Sequence, residues 1–237
     1  MKSRLVAIVG LALLCSCGER RQEPQHQPPP PPPKPAASAP VCTPAPNRLC
    51  PSDAGASDPS FEQFRKELRT AVEQKNEAEL LKHIAPDVRT SFGGGGGIDD
   101  FRKSWKTGSA DSELWPKLHT ILDLGGSFTG EGDAKSFWAP YVYANWPESI
   151  DAFENVAAVR AGVVLRASSS HDAAQVATVD WEILKVVSRS DAWMRVKTSG
   201  GVEGWVSAVD VYSPIGYRAG FSKRTGEWKL EALVAGD

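Results

Sequence analysis

Thiols, imidazoles, carboxylate clusters and phosphate-cradling loops are the devices through which a chain of this size could do chemistry. Here they are few and scattered. The cysteines are Cys15, Cys17, Cys42 and Cys50, and the histidines are His26, His83, His119 and His171. A zinc site needs three or four such ligands close together, and Cys42 and Cys50 have no second pair of Cys or His at ligand spacing. His83 and Asp87 stand one helical turn apart, but Pro86 lies between them and should break the helix that would align them, so His83 reads as solvated or capping. Gly93 to Gly97 is not followed by Lys-Ser or Lys-Thr, which excludes a P-loop. Asp99 and Asp100 are explained by the positive end of a helix that they open. The reading is a non-enzyme with no catalytic residue, no metal and no cofactor. The eight tryptophans mostly suit a core, while Trp138, Tyr143 and Trp146 could instead line a pocket.

The elements that must position these residues follow from periodicity. Residues 18 to 60 hold thirteen of the eighteen prolines, including the run Pro28 to Pro33. Such a segment builds no core and predicts an extended spacer, reaching on the order of 100 Å at ~3.1 Å per residue. Order is expected to begin at Asp58-Pro59-Ser60, where Asp58 can cap a helix and Pro59 suits its first turn. Phe61, Phe64, Leu68, Ala71 and Val72 recur at helical spacing. A second helix carries Ala78, Leu80, Leu81 and Ile84 up to Pro86, and a strand is predicted over Val88 to Phe92. Helices follow over 98 to 106 and 111 to 122, then strands over Phe137 to Trp146 and Phe153 to Arg160.

From Gly162 the pattern turns to short Val-, Trp- and Ile-rich runs broken by Ser, Gly and Asp, which is all-β. Strands are predicted over Val163 to Arg166, Gln175 to Val179, Glu182 to Ser188, Trp193 to Lys197, Gly204 to Val206, Tyr217 to Lys223 and Glu227 to Val234. Formal net charge is -2, which leaves no electrostatic footprint for nucleic acid.

Three stretches resemble known families. Met1 to Arg4 is basic, and Leu5 to Leu14 is an apolar run too short to span a bilayer, which needs about 20 residues. It leads into Leu14-Cys15-Ser16-Cys17, which resembles the lipobox of bacterial lipoproteins. Cys17 fits the pattern because Ser16 then occupies the cleavage position, whereas Cys15 would put Leu14 there. The resemblance implies a signal peptide over 1–16, a diacylglyceryl thioether on Cys17 and an acylated new amino terminus, palmitate included. Two or three acyl chains hold a protein firmly on a membrane. An envelope location would in turn favour a disulfide between Cys42 and Cys50 over two free thiols.

Gly162-Val-Val-Leu-Arg166, Gln175-Val-Ala-Thr-Val179, Ile183-Leu-Lys-Val-Val187, Trp193-Met-Arg-Val-Lys197 and Gly204-Trp-Val-Ser207 together resemble a bacterial SH3-like domain, a small barrel of envelope proteins. Its usual glycine before the first tryptophan is Ala192 here, and the Gly-Pro after Leu-Arg is missing. The resemblance implies a shallow peptide groove at Arg166, Trp193, Trp205 and Tyr212. More loosely, residues 58–155 and the hairpin from Tyr217 to Val234 resemble the cone-shaped nuclear transport factor 2-like superfamily.

The domain plan is a signal peptide over 1–16, a lipidated Pro-rich linker over 17–57, an α+β domain over 58–160 and an SH3-like barrel over 161–213. A terminal hairpin over 214–237 either completes the α+β sheet, with the barrel inserted, or follows in plain series. The function read from this plan is that of a lipid-anchored protein of a bacterial envelope with a non-catalytic binding role. Its expected partners are the membrane and a peptidoglycan peptide or envelope protein, with no nucleic acid. The alternative is a small-molecule binder or enzyme using a cavity in the α+β domain.

Overall fold

The computed structural model describes residues 40–236. The expectations at Cys15, Cys17 and the proline run 28–33 lie outside them. No helix among the described residues is long and apolar enough to cross a membrane.

The chain is α+β, with two sheets. Helix α1 (Pro59–Glu73) begins where Asp58 Oδ1 accepts the backbone N–H groups of Ser60 and Phe61, satisfying donors that a helix start leaves free. It buries Phe61, Phe64, Leu68, Ala71 and Val72, the stripe that periodicity requires. Helix α2 (Glu77–Lys82) is followed at once by strand β1 (Ile84–Arg89). Pro86 is therefore a strand residue and not a helix stop, tolerated because β1 is the edge of its sheet, where a missing N–H costs least. The predicted strand over 88 to 92 is displaced accordingly. Helices α3 (Ile98–Trp105) and α4 (Leu114–Asp123) follow, then β2 (Ser127–Thr129) and β3 (Ser136–Ala139). The strand expected through Trp146 stops at Pro140, beyond which Tyr141–Ala144 coils into a short helix, α5.

Seven strands come next: β4 (Asn155–Ala158), β5 (Val163–Arg166), β6 (Gln175–Val179), β7 (Ile183–Arg189), β8 (Trp193–Lys197), β9 (Glu203–Ser207) and β10 (Val211–Tyr212). They form one sheet in the order β10-β4-β7-β8-β9-β5-β6. No pairing among the described strands joins β10 to β6, so the ladder is open where the family resemblance implied a closed barrel. Strand β4 belongs to this sheet, which moves its start ahead of residue 161. The last hairpin, β11 (Arg218–Arg224) and β12 (Glu227–Val234), leaves it and completes the first sheet, ordered β1-β12-β11-β3-β2. The seven-stranded sheet thus interrupts the first sheet between β3 and β11.

Each sheet has its own core. In the first, Phe61 meets Phe137, Trp228 and Phe221 with ring centroids 4.3, 4.9 and 5.8 Å apart, so aromatic side chains fill the space under the helices. The second core is aliphatic, from Val163, Leu165, Leu184, Val196 and Val206.

Residues 40–57 depart from the spacer that their composition predicts. Cys42 and Cys50 are joined by a disulfide, and Leu49 is buried. Leu49 N–H donates to Trp181 O, Ile183 N–H to Asn47 O and Ala54 N–H to Gly126 O. These bonds tie the segment to both sheets. One buried leucine and three backbone bonds leave no periodic signal in the sequence.

Candidate functional site

The residues proposed for the groove divide between two places. On β8 and β9, Arg195 pairs with Trp205 and Trp193 with Ser207, while Arg166 of β5 pairs with the other side of Trp205. Alternation along the strands puts Met194, Val196, Leu165 and Val206 toward the core, so Trp193, Arg195, Trp205 and Arg166 share the opposite, outer face. Both tryptophans are half-buried there. Arg195 is neutralised by Glu203 at 2.9 Å. Arg166 donates from Nη1 to Ala173 O at 2.9 Å and has no carboxylate partner among the described residues. The loop after Arg166 folds back, bringing His171 to a centroid distance of 4.9 Å from Trp193. Sequence reasoning missed His171, because a lone exposed histidine in a Ser-rich turn carries no spacing signal.

Tyr212 lies elsewhere. It belongs to β10, at the opposite end of the sheet from β5 and β6, and it packs against the core of the first sheet and against a separate cluster of Leu49, Tyr141, Val142, Ala157 and Ile183. Its hydroxyl donates to Tyr217 O at 2.5 Å, and burial pushes its ionisation far above the ordinary tyrosine range. It is therefore removed from the tryptophan face. What it lines instead is a groove of about 590 Å³ between α4 and β10, with Leu124, Val211 and Tyr217 as apolar wall. The charges in that groove, Lys117 and Glu113, pair with each other at 3.6 Å.

A third concavity answers to the aromatics flagged in the sequence. Tyr143 and Trp146 line a cavity of about 470 Å³ with Pro147, Pro214, Ile215 and Arg218, and with Glu148 and Asp151 in its wall. Trp138 stands behind it. Its indole lies across Gly220, where a built Cβ would come within 2.7 Å of the ring, and Tyr143 packs on it at 5.4 Å.

Residues singled out for chemistry have structural work. Asp100 accepts the N–H of Gly96 at the start of α3. Asp87 pairs with Arg224 and not with His83; His83 meets Phe64 edge-on with ring centroids 5.5 Å apart, and burial lowers its pKa. His119 and Asp123 meet at 2.9 Å on the exposed side of α4. Among the described residues no group of three or more His, Cys, Asp or Glu side chains is placed to hold a metal.

No protein-family model matches the chain, and no curated protein matches it. Among solved structures it is similar to a candidate ketosteroid isomerase from Shewanella frigidimarina, at 9% identity over 76% of this chain and 96% of that one. The TM-score is 0.30, and a likeness of that size carries no conclusion about fold or chemistry.

Proposed function

We infer that this is a lipid-anchored protein of a bacterial envelope, held at Cys17, whose SH3-like second sheet binds an acidic peptide without catalysing a reaction. The observation that carries the reading is the outer face on which Trp193 and Trp205 stand half-exposed beside Arg166, an arginine with no carboxylate of its own among the described residues. Flat aromatic faces provide contact area at little cost in conformational entropy, and a guanidinium supplies the fork that recognises a carboxylate. A cell-wall stem peptide or a segment of an envelope protein offers that chemistry. The interior of the first sheet, filled by Phe61, Phe137, Phe221 and Trp228, supports a supporting role for that part over a reactive cavity.

Retention of the full chain on purified cell wall and on envelope extract tests this. Trp205→Ala should weaken retention by tens-fold, the weight of about 2 kcal/mol for a central aromatic contact, with melting little changed. Equal retention of wild type and variant on both materials would discard the face. For the anchor, Cys17→Ser should abolish metabolic labelling with a fatty acid and release the chain from membranes; labelling that persists rules out Cys17 as the acceptor.

A further inference from the structure

Arg218 is buried to 4% exposure in the outer face of the first sheet, opposite Ala219 and Phe221, which enter the core. Its guanidinium carbon lies 4.5 Å from the ring centroid of Tyr143 and 5.0 Å from that of Phe92. The two rings provide the planar cation with stacking contacts. They cannot accept the five N–H donors around its rim. No carboxylate among the described residues pairs with Arg218, and no protein acceptor among them takes a hydrogen bond from its side chain. Its donors open on the space beside them, where water or a ligand must complete them, since a buried cation without partners is costly.

The cavity beside it shows what that would be. Glu148 and Asp151 share its wall with Arg218, yet neither forms an ion pair with Arg218 or with any other cation among the described residues. Asp151 is held in place by the N–H groups of Phe153 and Glu154, which donate to its Oδ1 at 2.7 and 3.3 Å. The cavity wall therefore carries a cation and two carboxylates that do not pair with one another, with Trp146, Pro147, Pro214 and Ile215 as apolar surface. A simple polyanion would satisfy Arg218 and be repelled by the carboxylates. A zwitterion satisfies both. The volume of about 470 Å³ falls in the range of small-molecule sites.

We propose that this cavity is a binding site for a small zwitterion, an amino acid or short peptide terminus whose carboxylate forks onto Arg218 while its ammonium faces Glu148 and Asp151. The apolar residues take the side chain. The site is on the first sheet and does not rest on the tryptophan face of the second.

Calorimetric titration of the full chain in detergent tests it, with alanyl-leucine, its C-terminal amide, its N-acetyl derivative and inorganic phosphate as probes. The dipeptide should bind, the amide should bind at least about tenfold more weakly, as loss of a charge-assisted pair requires, and phosphate should bind more weakly than the dipeptide. Arg218→Met should abolish dipeptide binding while leaving the melting temperature of the ligand-free chain unchanged or higher, since it removes a charge with no partner; a guanidinium that served only as a pillar between two rings would give a lower one. Glu148→Gln, at the exposed rim, guards against a misfolded Arg218 variant. It should weaken the dipeptide several-fold and leave the N-acetyl derivative unaffected. No heat at about 10 mM dipeptide, where even weak sites fill, would overturn the proposal, as would equal affinity for acid and amide, tighter binding of phosphate, or indifference to Glu148→Gln.

Discussion

Arg65 and Arg218 are buried to nearly the same depth, at 7% and 4% exposure, in opposite surroundings. Arg65 sits on α1 between its own helix and the segment that precedes it. Its Nη1 donates to both oxygens of Asp53, at 2.6 and 2.7 Å, and its Nε to Glu62 at 3.0 Å. Burial alone would lower its pKa, yet the Asp53 and Glu62 carboxylates raise it. The N–H of Gly55 closes the cluster by donating to Asp53 at 3.0 Å. Arg218 has two aromatic rings and a cavity. The contrast separates two uses of one residue type: a guanidinium whose donors are consumed inside the fold holds the fold together, whereas one whose donors open on a cavity is available to something that enters.

The sharpest way to break this comparison is to remove the partners of the first arginine and the charge of the second. Asp53→Ala leaves Arg65 buried with one carboxylate and Gly55 N–H without its acceptor. We expect a loss of about 3 kcal/mol, the low end for breaking a buried pair, because the Asp53 side chain is 43% exposed and Glu62 remains. Urea denaturation measures it. Were Arg218→Met to cost as much as Asp53→Ala, the second arginine would be structural like the first and the distinction would collapse.

The two regions were unequally visible in the sequence, for physical reasons. The α1 stripe and the Asp58 cap are local, and helical spacing with a capping residue displays them directly. Four of the strands, β5, β6, β8 and β12, have the limits their β-branched and aromatic runs suggest. Alternation along a strand sets Arg218 opposite Ala219 and Phe221 and says nothing of its burial. Its burial comes from Phe92 and Tyr143, far along the chain in each case, and no periodicity reports a contact of that range. Pro86 misled because a proline stops a helix and is admitted on an edge strand, and the edge is a property of the assembled sheet. The family resemblance puts Tyr212 in the groove, but its position in β10 separates it from Trp193 and Trp205.

A smaller effect tests whether the surroundings of Arg218 are built as a unit. Trp138 can lie on the sheet only because residue 220 has no side chain, and Tyr143 and then the guanidinium stack outward from it. Gly220→Ala would drive a Cβ to 2.7 Å from the indole. Overpacking of this kind costs about 2 kcal/mol. Because the indole must move and Tyr143 with it, near-ultraviolet circular dichroism should change and dipeptide affinity should fall together with stability. A stability loss with unchanged affinity would show that Arg218 is held without this stack.

The smallest expected effect returns to the start of α1, where the charges are satisfied within the fold. Asp58 accepts from Lys135 Nζ at 2.8 Å and from the hydroxyl of Ser60 at 2.6 Å, and it caps α1 through the N–H of Phe61. Those bonds, that from Lys135 foremost, hold its pKa far below the ordinary value of 3.8. A carboxylate with a depressed folded pKa contributes stability that is complete above its unfolded value and is lost as pH falls toward and through the folded one. Asp58→Asn keeps an amide oxygen for the cap, since asparagine caps as well as aspartate, and removes only the charge. With Lys135 36% exposed, solvent screens part of the pair, and the variant should lose about 1 kcal/mol at pH 7. The difference should be constant down to about pH 5 and shrink steadily below pH 4, where the unfolded wild-type chain takes up a proton that the folded Asp58 carboxylate still refuses. Urea midpoints at pH 7, 5 and 3 read this directly. A gap that persists undiminished at pH 3 would mean that the asparagine is a poorer cap and that the Lys135 pair contributes nothing measurable, which would leave the Arg65 cluster as the only charge group that stabilises this end of the helix.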